Sequence, residues 1–199
     1  MVIGAFVQVS AGSGGVPGMR GKSVVSAPMT DNTEAATPAD APEPDTTPDV
    51  RDELVTTHHT LTTSAGELRY TAKSGRVVLY EDKVDDGVWQ GRKPRAQVGI
   101  TAYTLDDADP GSRPVTFAFN GGPGSASVWL HLGVLGPRRV VMGDVDELLP
   151  PPYGLADNPE SLLSVSDLVF IDPVSTGHSR VVEGAKAADF HGFTGDIES

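Results

Sequence analysis

Twice in this chain a short apolar run empties into a loop that contains glycine. Pro114-Val-Thr-Phe-Ala-Phe119 leads into Asn120-Gly-Gly-Pro-Gly124, and Asp167-Leu-Val-Phe-Ile-Asp172 leads into Pro173-Val-Ser-Thr-Gly-His-Ser179. A short apolar run bounded by turn residues reads as a strand buried on both faces, the kind found inside a parallel sheet. Residues 125–132 suit a helix between the two runs, with Ser125 near its N-cap. Strand, glycine loop, helix, strand, glycine loop is the rhythm of an α/β sheet. In such a sheet the functional loops stand at the carboxyl ends of the strands.

The Asn120–Gly124 loop has two readings. Its glycines let the backbone approach a ligand closely and Pro123 stiffens the turn, so its peptide N–H groups suit an anion or an oxyanion. The same residues also suit a tight strand-to-helix turn without chemistry. Upstream, 60–63, 67–71, 76–80 and 97–104 are β-branched or aromatic runs punctuated by Gly66 and Ser74-Gly75, which predicts an antiparallel meander. Residues 81–95 are polar and contain Asp85-Asp86-Gly87, which reads as a turn or loop, with Asp85-Asp86 as turn formers. Residues 158–163 suit a helical turn.

Residues 1–55 are expected to form a disordered leader. They are Gly/Ser-rich at first and then carry Pro28, Pro38, Pro42, Pro44 and Pro48 among acidic residues. The folded domain is expected over 56–199. The first ten residues are mildly apolar, but no basic residue precedes Arg20, so they do not fit a secretory signal. No apolar stretch is long enough for a spanning helix, and the compartment stays open. With 15 Lys+Arg against 27 Asp+Glu the net charge is −12, which argues against nucleic acid and against an anionic membrane surface. The absence of cysteine excludes disulfides, thiolate metal sites and a cysteine nucleophile.

The two glycine blocks carry a resemblance. Phe119-Asn-Gly-Gly-Pro-Gly-Ser-Ala-Ser127 with Leu135-Gly-Pro137, then 167–179, then 190–199, resemble in order and spacing the serine carboxypeptidases, most closely cysteine-free bacterial members. The resemblance covers about residues 57–199 and implies an α/β-hydrolase fold. Only the N-terminal strands and first βα units of that fold would be present. It also implies a serine-type carboxypeptidase that works through an acyl-enzyme on the C-terminus of a peptide substrate, with no cofactor and no metal.

By the same resemblance Gly122 supplies one oxyanion-hole N–H, and Asn120 and Gly121 bind the substrate's terminal carboxylate. Two positions depart from the family pattern. Ala118 stands where many members have Trp, and Val134 where many have Glu. Ser175 and His178 stand where a glycine and an aromatic residue are usual. No serine here has glycine at both −2 and +2, so the nucleophile elbow is missing. The triad is therefore expected outside these residues, and the 199-residue chain alone is expected to be inactive. A rival reading from another class is a non-catalytic β-rich binding module or a pseudo-enzyme remnant.

The remaining candidates have plainer readings. His58 and His59 are adjacent on a strand, so they point to opposite faces and do not chelate one metal. His131 and His191 lack a partner at metal-ligand spacing. Asp172 is expected to hold its loop through backbone hydrogen bonds rather than act as an acid.

Overall fold

The structure, a computed structural model, describes residues 50–192 apart from 110, 121–123, 145, 146 and 148. The expected leader up to residue 49 lies outside the described residues. The first strand begins inside the expected leader, at Glu53.

Three long strands make an antiparallel meander: β1 (Glu53–Thr63), β2 (Gly66–Asp85) and β3 (Val88–Leu105). Threonine is the commonest residue of β1, and β-branched side chains suit a pleated, half-buried surface. Ser74-Gly75 does not break β2. The strand runs straight through, because Gly75 sits against β1, where an added Cβ would run into the Glu53 carbonyl oxygen. Of residues 81–95 only Asp86-Gly87 form a turn, and the rest are strand. They extend the β2–β3 hairpin to a two-residue turn in which Asp86 (φ 47°) and Gly87 (φ 77°) are both left-handed. That is the backbone of a type I′ turn, whose twist matches the flanking strands. The tip is exposed on both faces, so it lacks the alternation that marks a strand in sequence. Cross-strand pairs support it, Arg92 and Trp89 both reaching Asp82 at 3.3 Å and Arg95 meeting Glu81.

The two apolar runs form β4 (Val115–Ala118) and β7 (Asp167–Ile171), which pair in parallel. β7 also pairs antiparallel with β3, so the strand order is β1-β2-β3-β7-β4. The short β8 (Arg180–Val181) joins β3 farther along. Between β4 and β7 lie α1 (Val128–Leu130), which continues as a π-helical turn over His131–Leu135, and a small hairpin of β5 (Arg138–Val140) and β6 (Leu155–Asp157). Short 3₁₀ turns occupy Leu162–Ser164 and Ala187–Phe190.

The core lies on one face of the sheet. Leu61, Tyr70, Ala72, Tyr103, Ala118, Leu168 and Phe170 alternate inward from five strands, and Leu130 and Leu163 cover them from the connections.

This architecture corrects the expected fold class. The described residues are 49% strand and 11% helix, in one mixed sheet, and do not form the helix-layered pattern of an α/β hydrolase. The physical reason lies in the connections. Between the glycine loop and Gly136-Pro137 there is too little chain to nucleate a full helix, and it contains Gly133 and the β-branched Val128 and Val134. The helix expected from Ser125 shrinks to Val128–Leu130. Ser127 stands at its N-cap, but the hydroxyl caps nothing in the helix. It is used elsewhere.

Candidate functional site

β4 and β7 point the same way, so their loops leave the sheet side by side. Asn120 lies two residues past the last rung of that pair, Ala118 beside Phe170, and so does Asp172. Asn120 is buried. Gly121 and Gly122, with Pro123, lie outside the described residues, so neither the proposed oxyanion donor nor the second carboxylate donor is placed. The loop resumes at Gly124, which is left-handed (φ 87°).

Asp172 ties the two loops together. Its Oδ1 accepts from the Ser127 backbone N–H at 2.9 Å and from the Ser127 hydroxyl at 2.8 Å, and its Oδ2 accepts from the His178 N–H at 3.1 Å. One carboxylate thus holds the end of the first loop and the turn of the second. The close packing requires Gly177 (φ 44°), because a Cβ there would overlap the carboxylate. Ser179, fully buried, donates to the Asp172 carbonyl at 2.6 Å and accepts from the Gly99 N–H at 2.8 Å, which locks the second loop onto β3. An Asp so occupied with N–H and O–H donors is an organiser of backbone, as expected of it.

Ser175 is left-handed (φ 73°), a conformation that favours glycine. Its hydroxyl meets His191 Nε2 at 3.2 Å. Ala118 and Val134 differ in kind. Ala118 is in the core, packed among Leu168 and Phe170, and has no room for an indole. Val134 is exposed, and only its carbonyl is engaged, by the Asn158 side-chain amide at 2.8 Å. Asn158 also reaches the Gly136 carbonyl, and Ser161 reaches the Leu135 carbonyl, so these two residues satisfy the end of the π turn.

A half-buried polar pair has no sequence motif to announce it. His131 Nε2 and Tyr103 Oη are 2.6 Å apart, and the imidazole stacks on Phe170 with centroids 4.5 Å apart. Burial pushes the His131 pKa down to about 4 and that of Tyr103 up to about 12, so the pair is neutral at pH 7. The only hint in sequence was the alternation that puts Tyr103 on the core face. His58 and His59 do face opposite ways. His58 meets Thr71 (3.0 Å), which donates to Asp106 (2.6 Å), while His59 meets Thr57 (2.8 Å) and stacks on Tyr70. Among the described residues no group of His, Asp or Glu is arranged to hold a metal, and no helix is long and apolar enough to cross a membrane.

Beside the Asp172 knot the core face of the sheet opens into a cleft of about 520 Å³. Ser74, Gly99 and Thr101 form its floor, with Arg76 on one side and Ser127, Asp172 and His178 on the other. Comparison of the chain with protein-family models, with curated proteins and with solved structures returns no match.

Proposed function

We propose that this chain provides the substrate-binding side of a serine-type peptidase that acts at the C-termini of peptides. The reading rests on the resemblance of the two glycine blocks, and the observation that carries it is Asp172. Its carboxylate joins those two blocks at the carboxyl ends of adjacent parallel strands, where convergent backbone donors can meet a ligand.

In this reading the Asn120 side chain and the Gly121 N–H donate to the substrate's terminal carboxylate, which Asn and backbone amides do without titrating. The Gly122 N–H donates to the oxyanion that forms when a serine hydroxyl adds to the scissile carbonyl. Collapse of that adduct breaks the C–N bond, the amine leaves with a proton, and water hydrolyses the acyl-enzyme. The attacking serine and its His and Asp partners come from polypeptide outside these 199 residues.

The test is the coding sequence after Ser199, expressed together with this chain. A Gly-x-Ser-x-Gly elbow there, and hydrolysis of an N-blocked dipeptide that a serine-directed phosphonate stops, is the expected result. In that polypeptide Gly122→Val should lower kcat by roughly 10²–10³, the usual cost of one oxyanion donor, with less effect on KM. No elbow, or no hydrolysis, overturns the reading. The strand-dominated architecture then favours the rival, a β-rich module that binds without chemistry.

A further inference from the structure

The cleft beside Asp172 has a definite construction. In the register of the sheet, Val55, Ser74, Thr101 and Phe170 stand on one rung, and Glu53, Arg76, Gly99 and Asp172 on the next. These residues share parity with the core residues Tyr70, Ala72, Tyr103 and Leu168, so they continue the core face. Where the core has large side chains, this stretch has Ser74, Gly99 and Thr101, and the face is left open. The two hydroxyls meet each other at 2.9 Å. Gly99 cannot be enlarged freely, since a Cβ would lie 3.1 Å from His178 Cβ.

Arg76 is the cation among the lining residues. Its partner is Glu53, at 2.8 Å, with side chains 41% and 54% exposed. An ion pair that exposed is worth little, so a competing carboxylate can displace Glu53 at small cost. Across Gly99, Asp172 Oδ2 accepts only the His178 N–H among the described residues, and a carboxylate oxygen has room for a second donor such as a peptide N–H. Three donors from the protein hold the Asp172 carboxylate in place, and Arg76 is the lining side chain that can meet an anion.

We infer that this cleft binds an acidic side chain of a peptide, with the carboxylate on Arg76 and a peptide N–H on Asp172. The inference rests on the peptidase reading only for the far end of the peptide, whose C-terminal carboxylate would lie at Asn120. Asn120, Asp172, Gly99 and Arg76 stand level on successive strands, so Asn120 and Arg76 are about 14 Å apart at roughly 4.8 Å per strand. An extended peptide covers about 3.3 Å per residue, and both the arginine and the acidic side chain reach inward. The acidic residue then stands two or three positions before the C-terminus. The substrate class is a peptide with Glu or Asp at that place.

The experiment titrates the 199-residue chain with four peptides and follows binding by calorimetry. The peptides are N-acetyl-Glu-Ala-Ala and N-acetyl-Gln-Ala-Ala, each as free acid and as C-terminal amide. Glu should bind severalfold more tightly than Gln whichever C-terminus is present. Arg76→Met should abolish the Glu preference, and Glu53→Gln should strengthen Glu binding severalfold by freeing Arg76. A thermal melt of each variant shows that it is folded. Equal binding of Glu and Gln peptides, absence of any binding, or a Glu preference that survives Arg76→Met overturns the inference. Failure of the peptidase reading appears on the other axis, as indifference to acid against amide.

Discussion

At the scale of the residue, two half-buried polar groups organise this protein in opposite ways. Asp172 is charged and satisfied by three donors from two loops. Asp172→Asn keeps the shape but turns an amide N–H₂ toward at least one of those donors. The change should cost about 1.5–3 kcal/mol, the usual worth of a hydrogen bond to a charged group, read as a lower midpoint in urea unfolding. His131 is kept neutral by burial, with its pKa near 4 against an ordinary 6.5. Its unfolded form takes up a proton first as pH falls, so the stabilisation is present in full above pH 6.5. It is lost progressively as pH drops to about 4. The loss is about 3 kcal/mol at 1.36 kcal/mol per pH unit. Urea unfolding at pH 7 and pH 4.5 measures it, and His131→Gln, which has no imidazole to protonate, should make the fall shallower. Equal slopes with pH in both proteins would exclude His131 as the cause.

At the scale of the element, the start of the β1–β2 pair depends on one glycine. Gly75 lies opposite Leu54 and against the Glu53 carbonyl, with a backbone (φ 154°) that side chains rarely adopt. Gly75→Ala should push the start of β1 away from β2. Backbone amide exchange at residues 53–55 should then quicken, while the amides of 58–62, paired with 67–71, keep their protection. Uniform exchange along β1 would show that the close approach is not needed. The β2–β3 tip is governed differently. Asp86-Gly87 decides the turn chemically, and exposed charge pairs line the arms. The length of that hairpin was therefore hidden in a polar stretch without alternation, although its turn residues were visible.

At the scale of the molecule, one face of the sheet holds the core and the other shows Phe117 (36% exposed), while Phe119 (38%) follows just past the strand. Among the described residues β4 pairs only with β7, so an apolar edge stands open, a template for association. The net charge of −12 opposes contact between copies, and salt screens it. Self-association of the chain should increase with salt, and Phe117→Lys should reduce it. Light scattering at low and high ionic strength distinguishes this from a salt-independent monomer. The amino-acid sequence by itself determined the strand character of 114–119 and 167–172, the glycine loops after them, the Asp86-Gly87 turn and the opposed faces of His58 and His59. Each of these follows from local backbone chemistry or from period-two alternation. Only the tertiary structure decided that Asp172 joins the two loops, that His131 meets Tyr103, that β2 passes through Ser74-Gly75, and that the connections do not build helical layers. Those outcomes depend on which strands become neighbours, and a pairing between residues as distant as Ser127 and Asp172 is set by the register of the whole sheet, to which no local pattern responds.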